Sequence, residues 1–489
     1  MNFFGKEIRL TNNNTLPFFN DIQFGDHQIS KPPIIDEFHS DSCHVAAEKI
    51  EPSKMNFGGI NNNPNSNGNL EMNNNELNEN SNLIKLNDDC LLEILSYLNI
   101  LDLMNIQDIH PRLDSVIEIH MHKYGEFSFE KEFERAKDFR VYQNATSILK
   151  FLGANLRSIA LTLFQHFREN VNEVLKVLSK NCPNLDTLKC KHFNSDHLNS
   201  LKYLNPQLRQ LKSFSFHFGK LTSDDELAII LNKTQILEEL NILGNKEITG
   251  ECLKNIRTLK SLNVSSCDKL KPECLINALH QNKNLRELSL DFFNKINQNV
   301  IDSLTGCHEI EFLSIEYFLH NNLPILNFDP IAKLACLKKL RFTLFGLIPI
   351  DTLLEELSKK NVLEELHLFL MCQEIKHHTI KCISKLTALK SLTILHSISD
   401  ESLKMLKTLS NLEVLKIPKE TELSTETIVD FIECCYKVKS LDIEYLRKDL
   451  LEKLNDIWAA TPHRPKLNIF ANKADIRIKS TETKSSIFT

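Results

Sequence analysis

The sequence predicts an α/β solenoid in which short parallel strands alternate with helices along most of the chain, and three observations support this. One phrase recurs between residues 156 and 470: an apolar residue, two variable residues, an apolar residue, one variable residue and an apolar residue. Its copies start 22 to 29 residues apart. The segments between them place apolar residues three and four positions apart, which is typical of amphipathic helices.

The phrase indicates both the strands and the way in which they stack. Its second half alternates apolar and variable residues, which predicts a short strand. One such unit cannot bury its own apolar side, whereas stacked units bury a continuous core. The period and spacing are the signature of leucine-rich repeats, so we expect a leucine-rich-repeat solenoid, or horseshoe, over residues 156–470. The thirteen copies start at Leu156, Leu185, Leu211, Leu237, Leu259, Leu285, Ile310, Leu337, Leu363, Leu389, Leu412, Val438 and Arg464.

The third residue after each phrase is unusual in this chain. Leucine-rich repeats often have Asn or Cys there, and Asn245 and Cys267 follow that pattern. Other copies have a phenylalanine, which predicts a spine of stacked aromatic side chains in the core. These residues are Phe164, Phe193, Phe293, Phe318 and Phe345.

Residues 1–82 precede any periodic pattern and have a polar composition. Residues 61–82 are of low complexity and rich in asparagine. Such a segment buries too little apolar surface to offset the conformational entropy lost on ordering. We therefore expect residues 1–82 to be disordered.

The composition changes abruptly at Leu83, and residues 83–125 are predicted to form a small unit of three short helices. Leu91, Ile94, Leu95 and Leu98 share one helical face. The candidate helix caps are Asp88 or Asp89 for the first helix and Asp102 for the second, and Pro111 suits the first turn of the third. About 40 residues make a small core, so this unit is expected to lean on the repeats, on a partner protein, or on both.

The same segment resembles an F-box. The resemblance runs without gaps over roughly 30 residues, through the apolar positions of the first helix and on to Arg112 and Leu113. It departs at Asn87, where the family usually has proline, and at Pro111, where a basic residue is common. The resemblance implies contacts with a Skp-family adaptor at Leu86, Asn87, Leu91, Leu92, Ile94, Leu95, Leu98, Leu103 and Ile109.

An F-box followed by leucine-rich repeats is the layout of the substrate receptors of SCF ubiquitin ligases. The resemblance therefore implies that the chain docks on a Skp-family adaptor, and through it on a cullin, while the repeats bind a target protein. The alternative is a leucine-rich-repeat interaction scaffold, unrelated to ubiquitin, whose helical unit only caps the array. The departure at Asn87 favours this alternative.

Two segments flank the repeats. Residues 126–155 are expected to join the helical unit to the array, with an irregular strand over 126–133 and the first repeat's helix over 145–156, ending at Gly153. Residues 471–489 form a polar tail that is either disordered or folded back over the array.

Composition excludes several classes of protein. A net charge of −6 and a pI of about 6.3 give no basic footprint for nucleic acid. No apolar run approaches the roughly 18 residues of a membrane span. The 13 cysteines are scattered, which favours buried thiols in a reducing compartment, so we expect a cytoplasmic or nuclear protein.

No catalytic or metal-binding constellation is present in the sequence. His120 and His122 are two positions apart and do not share a helical face, so they are predicted to be surface histidines. No pair of C-x-x-C motifs exists for zinc. We expect a protein that is not an enzyme and that needs no cofactor.

A target-binding patch is predicted on the concave face of the array. Variable residues around the last two apolar positions of each phrase point away from the core. From residue 312 onward these positions include aromatic side chains beside a Lys–Arg pair, which is typical of binding hot spots. The predicted patch, suited to an acidic or phosphorylated segment, contains Phe312, Lys339, Arg341, His367, Phe369 and Leu395. The alternative is that the tail covers Phe369 and Leu395.

Overall fold

The computed structural model describes most of the chain after residue 82. The described ranges are 83–163, 171–219, 223–293, 295–318, 324–346, 348–371, 375–417, 423–443, 448–461, 463–471 and 474–478. They all belong to one compact unit, residues 78–489. The predicted disorder of residues 1–82, the end of the tail at 479–489 and Phe164 lie outside the described residues.

One sheet of 15 strands runs through the described part of the chain, and its strands lie in sequence order from β1 to β15. The first 14 are parallel to their neighbours, whereas β15 is antiparallel to β14. This mixed α/β arrangement is compatible with the predicted solenoid. The strands are Glu126–Ser128 (β1), Ser158–Thr162 (β2), Thr187–Lys191 (β3), Ser213–His217 (β4), Glu239–Asn241 (β5), Ser261–Asn263 (β6), Glu287–Leu290 (β7), Phe312–Phe318 (β8), Lys339–Phe345 (β9), Glu365–Met371 (β10), Ser391–Ile394 (β11), Val414–Lys416 (β12), Ser440–Asp442 (β13), Leu467–Ala471 (β14) and Ala474–Ile478 (β15).

Each predicted copy of the phrase forms one of the strands β2 to β14, starting two or three residues after the start of the copy. The register keeps equivalent residues opposite one another: Leu240 lies opposite Leu262, and Leu262 lies opposite Leu288. All three side chains are buried. The repeat period therefore brings the same apolar position of each unit into one continuous core.

Helices and short 3-10 turns connect the strands and pack their apolar residues against the same core. The α-helices are Asp88–Ser96 (α1), Ile100–Ile106 (α2), Pro111–Met121 (α3), Phe129–Ala136 (α4), Arg140–Gln143 (α5), Ala145–Leu152 (α6), Val171–Asn181 (α7), Ser195–Ser200 (α8), Asn205–Leu208 (α9), Asp224–Leu231 (α10), Pro272–Gln281 (α11), Gln298–Ser303 (α12), Asp351–Lys360 (α13), His377–Ile383 (α14), Asp400–Met405 (α15), Thr425–Cys434 (α16) and Lys448–Ala460 (α17). The opposite side of the sheet, which carries the outward residues of the strands, is called the open face below.

The sheet extends beyond the predicted array at both ends. β1 pairs with β2 and so adds a strand that begins 30 residues before Leu156. The irregular strand predicted over 126–133 ends at Ser128, because a helix begins at Phe129. Gly153 ends α6 as expected, with a positive φ of 54° that suits glycine. At the other end, β15 places residues 474–478 of the tail beside β14.

The aromatic spine is confirmed at only part of the predicted positions. Phe193 and Phe293 are buried in the core. Phe318 and Phe345 are only half-buried, because each is the last residue of a seven-residue strand, where alternation places it on the open face. Asn245 and Cys267, at the equivalent position of other repeats, donate hydrogen bonds to the carbonyl oxygens of Phe216 and Ile242 respectively.

A buried carboxylate links two neighbouring repeats. Asp224, the first residue of α10, is only 8% exposed. Its carboxylate accepts hydrogen bonds from the backbone N–H groups of Thr249, Gly250 and Cys252 and from Oγ1 of Thr249, at 2.8 to 3.1 Å. Burial alone raises the pKa of Asp224, but these hydrogen bonds outweigh it and the net pKa is lowered.

The predicted three helices of the amino-terminal unit are present as α1, α2 and α3, but other residues cap them. Oδ1 of Asn87 accepts a hydrogen bond from the backbone N–H of Cys90 and caps α1. Asn99 caps α2, so Asp102 lies one turn inside that helix. Asparagine is as good an N-cap as aspartate. Asn87 and Asn99 cap the helices because they stand immediately before the first residue of α1 and of α2, whereas the predicted aspartates lie inside these helices. Pro111 begins α3 as predicted.

Candidate functional site

Strands β8, β9 and β10 differ from the rest of the sheet in length. Each has seven residues, whereas the other strands have three to five. The extra residues continue the alternation, so β8 and β9 each present four outward positions on the open face. The longest continuous part of the open face therefore lies over these three strands.

An aromatic row lies at the carboxyl ends of these strands. Phe318 of β8 stacks on Phe345 of β9, with ring centroids 3.9 Å apart. Phe345 makes an edge contact with Phe369 of β10 at 6.0 Å, and Phe292, which follows β7, lies 6.3 Å from Phe318. We call Phe292, Phe318, Phe345 and Phe369 the aromatic row. It crosses four repeats, and all four of its side chains are half-buried.

Two carboxyl groups lie next to the aromatic row. Glu316 of β8 is only 8% exposed, and Asp291 follows β7 in the position beside it. Oδ1 of Asp291 accepts a hydrogen bond of 2.6 Å from Oγ of Ser314. Burial raises the pKa of Asp291, while Ser314 and Arg341 partly oppose that rise. Burial, together with repulsion from Asp291, raises the pKa of Glu316 to about 8.

Basic residues occupy the outward positions of β9 and β10 that precede the aromatic row. Arg341 of β9 lies between Ser314 of β8 and His367 of β10. Nζ of Lys339 forms an ion pair with Oε1 of Glu365 at 2.8 Å, which compensates its charge. Burial, and then the nearby charges of Arg341 and Lys416, lower the pKa of His367 to about 4, so this imidazole is neutral at pH 7.

The structure brings the predicted target-binding residues to one face. Phe312, His367 and Phe369 are half-buried, while Lys339, Arg341 and Leu395 are exposed. They lie on β8, β9 and β10 or just after β11. Ser314 and Glu316 occupy outward positions of β8 but are buried, because neighbouring strands enclose them. Their burial is a property of tertiary packing that strand alternation does not report.

The described part of the tail lies at the end of the sheet. Residues 474–478 pair with β14, whereas Phe369 and Leu395 belong to the region of β10 and β11. Covering of these two side chains by residues 479–489 falls outside the described residues and stays an open alternative.

The structure divides the predicted adaptor-binding residues into two groups. Leu91, Leu95 and Leu103 are at most 3% exposed and form the internal core of the helical unit, so they act through packing and offer no surface to an adaptor. The remaining residues reach the surface of the unit: Leu86, Leu92, Ile94 and Leu98 are half-buried, and Asn87 and Ile109 are exposed.

The large exposed side chains of this unit that the sequence interpretation missed include Tyr97 and Ile119. Tyr97 is 76% exposed and Ile119 is 48% exposed. Neither belongs to the apolar stripe of its helix, and a search for core periodicity therefore passes over them. Large apolar residues outside the stripe are the only signal that could have identified them.

The two departures from the F-box pattern have clear structural roles. Asn87 caps α1, and Pro111 begins α3. The neighbouring Arg112 donates hydrogen bonds to the carbonyl oxygens of Ile84 and Leu86, and so ties the start of the unit to α3. The local chain path is therefore stabilised at the positions where the sequence differs from the family.

A buried hydrogen bond joins the helical unit to the first part of the sheet. Oε1 of Glu132, on α4, accepts a hydrogen bond of 2.6 Å from the backbone N–H of Ile100, the first residue of α2. Glu132 is only 7% exposed. This contact satisfies a helix N-terminus and fixes the unit against the start of the array.

The described residues offer neither a metal site nor a membrane-spanning helix. Within the described ranges, no group of three or more His, Cys, Asp or Glu residues could hold a metal ion. In the same part of the chain no helix has the length and apolar character needed to cross a bilayer. His120, predicted to be a surface residue, is 5% exposed, because α3 turns it into the core of the helical unit.

Comparisons with known proteins place the chain among no characterised family. No family model and no curated protein sequence matches it. Solved structures do match, among them a chain of the crystal structure of the Rad7 and Elc1 complex in yeast. That chain is 17% identical, with a TM-score of 0.39, and the match covers 70% of this chain and 92% of that one. The strands, their register and their burial in this chain itself establish one continuous sheet of repeats.

Proposed function

We propose that this chain is the substrate-recognition subunit of an SCF-type ubiquitin ligase. Its helical unit would dock on a Skp-family adaptor and, through it, on a cullin, while the open face of the repeat sheet holds the target. The chain would not catalyse ubiquitin transfer. Tethering would raise the local concentration of target lysines near the charged ubiquitin carrier. The cytoplasm and the nucleus are the compartments in which we expect this function.

The observation that carries this proposal is the contrast inside the helical unit. Its core is closed by Leu91, Leu95 and Leu103. Tyr97 and Ile119 nevertheless remain largely exposed. Exposed apolar side chains on a small unit that already has a closed core favour a protein partner.

The position of Asn87 removes the main argument against an F-box. Proline at that position would preset the backbone for a helix start, and Asn87 supports the same helix start by accepting the N–H of Cys90 at 2.9 Å. The departure from the family pattern is therefore compatible with the same local fold.

Co-purification of the full chain with a co-expressed Skp-family adaptor tests the proposal. Tyr97→Glu and Ile119→Glu should each remove adaptor binding, because a charge at an apolar interface loses its solvation without gaining a partner. Ile236→Glu is the matched control, since Ile236 is 45% exposed but lies in the repeat array. Adaptor binding that survives both changes in the helical unit, or that is absent from the parent chain, would contradict the proposal.

A second candidate function is a repeat scaffold whose helical unit only closes the end of the array. The buried hydrogen bond from Ile100 to Glu132 favours it, because this contact is what a cap requires. In that case Glu132→Ala would lower the melting temperature of the array, and no Skp-family adaptor would co-purify with the parent chain.

A further inference from the structure

The carboxyl group of Glu316 lies on the open face of the sheet and yet is largely buried. It lies at an outward position of β8, and strand alternation directs it to the open face. It is 8% exposed, and within the described ranges only burial and the charge of Asp291 act on its carboxyl group, with no hydrogen bond among the causes of its raised pKa. Ionising a largely buried carboxyl group without a compensating partner is costly, and an external cation would offset that cost.

Asp291 stands beside Glu316 and adds a second acidic group. Leu290 of β7 pairs with Ile315 of β8, so the next residues of the two strands, Asp291 and Glu316, are neighbours. Asp291 is held in place, because its carboxylate accepts from Ser314 and its backbone N–H donates to Oγ of Ser265 at 3.0 Å. The pair therefore forms a preorganised acidic position on the open face.

The aromatic row forms one wall of this position. Phe318 is two residues after Glu316 on the same face of β8, and its ring stacks on Phe345 at 3.9 Å. Carboxyl groups beside aromatic rings suit a lysine or arginine side chain, whose charged head needs a carboxylate and whose methylene stem packs on apolar surface.

The cations of this chain do not compensate Glu316. Lys339 pairs with Glu365, and His367 carries no charge at pH 7 because burial lowers its pKa to about 4. Arg341 lies opposite Ser314 and acts on Asp291, one outward position before Glu316. The residue opposite Glu316 on β9 is the neutral Thr343.

We propose that the open face over β7–β10 binds a target segment through one basic side chain, which inserts between Glu316 and Asp291 and packs along the aromatic row. This inference deepens the proposed function by naming the chemistry of the target, but the binding itself needs no adaptor. It also revises the expectation of an acidic target segment, since Lys339 is paired with Glu365 and His367 is neutral at pH 7, whereas no basic side chain of this chain pairs with Glu316 within the described ranges.

The affinity should rise with pH. The ligand requires the ionised carboxylate of Glu316, whose pKa in the free protein is raised to about 8 by burial and by Asp291. The charged or titratable groups that face it are Asp291 from β7 and Arg341 from β9, and His367 of β10 stays neutral above pH 6. A lysine ligand remains charged in this range, so its binding should strengthen between pH 6 and pH 9.

Fluorescence polarisation of the full chain with a peptide series tests the inference. The probes are labelled nine-residue peptides with capped ends, with Leu, Phe and Ser in varied flanking positions and Lys, Arg, norleucine or Glu at the centre. The parent chain should bind the best Lys or Arg peptide at least about tenfold more tightly than its norleucine counterpart, the scale of a charge-assisted contact. Glu316→Gln should abolish this preference, whereas Arg341→Gln should leave it unchanged or increase it.

The same experiment contains the outcomes that would overturn the inference. A preference for Glu peptides that Arg341→Gln abolishes would show an acidic target instead. A basic preference that survives Glu316→Gln, or no binding by any peptide of the series, would also overturn it. Thermal melting establishes that each variant is folded, and unchanged adaptor co-purification by Glu316→Gln separates failure at this site from failure of the proposed function.

Discussion

One carboxyl group beside β5–β7 and one in β8–β10 are equally exposed but have opposite surroundings. Asp224, beside the first region, and Glu316, in the second, are both 8% exposed. The carboxylate of Asp224 accepts four hydrogen bonds and its pKa is lowered, whereas Glu316 has no partner and its pKa is raised to about 8. Hydrogen bonds therefore compensate the burial of Asp224, whereas nothing compensates the burial of Glu316 within the described ranges.

Other side chains also differ between the two regions. In the first region, Asn282 is buried, its Oδ1 accepts from the N–H of Leu259 and its Nδ2 donates to two carbonyl oxygens. In the second region, Phe318 and Phe345 leave the core and reach the open face. In the proposal made above, the longer strands β8–β10 serve recognition, while the shorter strands β5–β7 serve stacking.

The pH dependence of stability gives the largest expected effect. The unfolded chain ionises Glu316 near its ordinary pKa, about 4.3, but the folded chain does so only near pH 8. Its contribution to stability is therefore fully present below the unfolded pKa and is lost as pH rises to about 8, by roughly 3–5 kcal/mol. Glu316→Gln lacks this titration, so its melting temperature relative to the parent should be higher at pH 9 than at pH 5.5. If the difference in melting temperature between the two proteins were the same at pH 5.5 and at pH 9, Glu316 would not have the raised pKa on which the distinction between the two regions depends.

Removal of the Asp224 carboxylate should destabilise the array next most strongly. Asp224→Ala leaves buried donors of Thr249, Gly250 and Cys252 without an acceptor, at a cost of about 3 kcal/mol. Asp225→Ala is the matched control, because Asp225 is exposed in the same helical turn. Chemical denaturation measures both. Equal losses in the two variants would mean that the four hydrogen bonds contribute little.

The acid sensitivity of Asp224 has the opposite sign from that of Glu316. Because the folded pKa of Asp224 is lowered, its contribution is present above the unfolded pKa of about 3.9 and is lost as pH falls through the folded value. The stability difference between the parent and Asp224→Ala should therefore shrink below about pH 4. A difference that stays constant down to pH 2.5 would contradict this assignment.

The junction of the helical unit provides a smaller effect. Glu132→Ala removes the acceptor of the Ile100 N–H and should cost about 1.5 kcal/mol. Hydrogen exchange should quicken in α2 and α4, while the strands β5–β10 keep the protection of the parent. Uniform loss of protection over the whole sheet would show that the unit and the array unfold together.

The smallest effect is expected for the ion pairs that follow the start of the phrase. Lys260, Lys338 and Lys390 pair with a glutamate of the preceding repeat. Exposed pairs of this kind contribute about 0.2–1 kcal/mol and are screened by salt. Lys390→Ala should therefore change the melting temperature slightly at low salt and not at 1 M salt. A change that persists in high salt would indicate loss of packing by the methylene stem.

The sequence predicted the repeat strands well, because burial of an apolar residue at fixed spacing is a local signal. Leu240, Leu262 and Leu288 follow the phrase and lie in register as expected. β1 was missed as a part of the array, since its three residues lack the phrase and only its pairing with β2 defines it. The helix caps Asn87 and Asn99 were missed in favour of aspartates one or more positions later.

The candidate sites were predictable only in part. Strand alternation correctly placed Arg341, His367 and Phe369 on one face. The state of Glu316 could not be predicted, because it depends on Asp291 and on the enclosing strands, which are 25 or more residues away in sequence. Likewise, the apolar stripe of α1 identified Leu91 and Leu95 but could not tell that both face inward while Tyr97 faces solvent.

The titration of individual carboxyl groups tests the central contrast most directly. The full chain, labelled with ¹³C at the side-chain carboxyl carbons of Glu and Asp, would be titrated by NMR, with Glu316→Gln and Asp224→Asn assigning the two resonances. We predict that the Glu316 resonance titrates with a midpoint near pH 8. The Asp224 resonance should titrate with a midpoint below the ordinary pKa of an aspartate, because the folded chain keeps this carboxylate ionised at lower pH. A Glu316 midpoint at the ordinary value of about 4.3 would contradict the account, because the open face would then carry no buried, uncompensated carboxyl group.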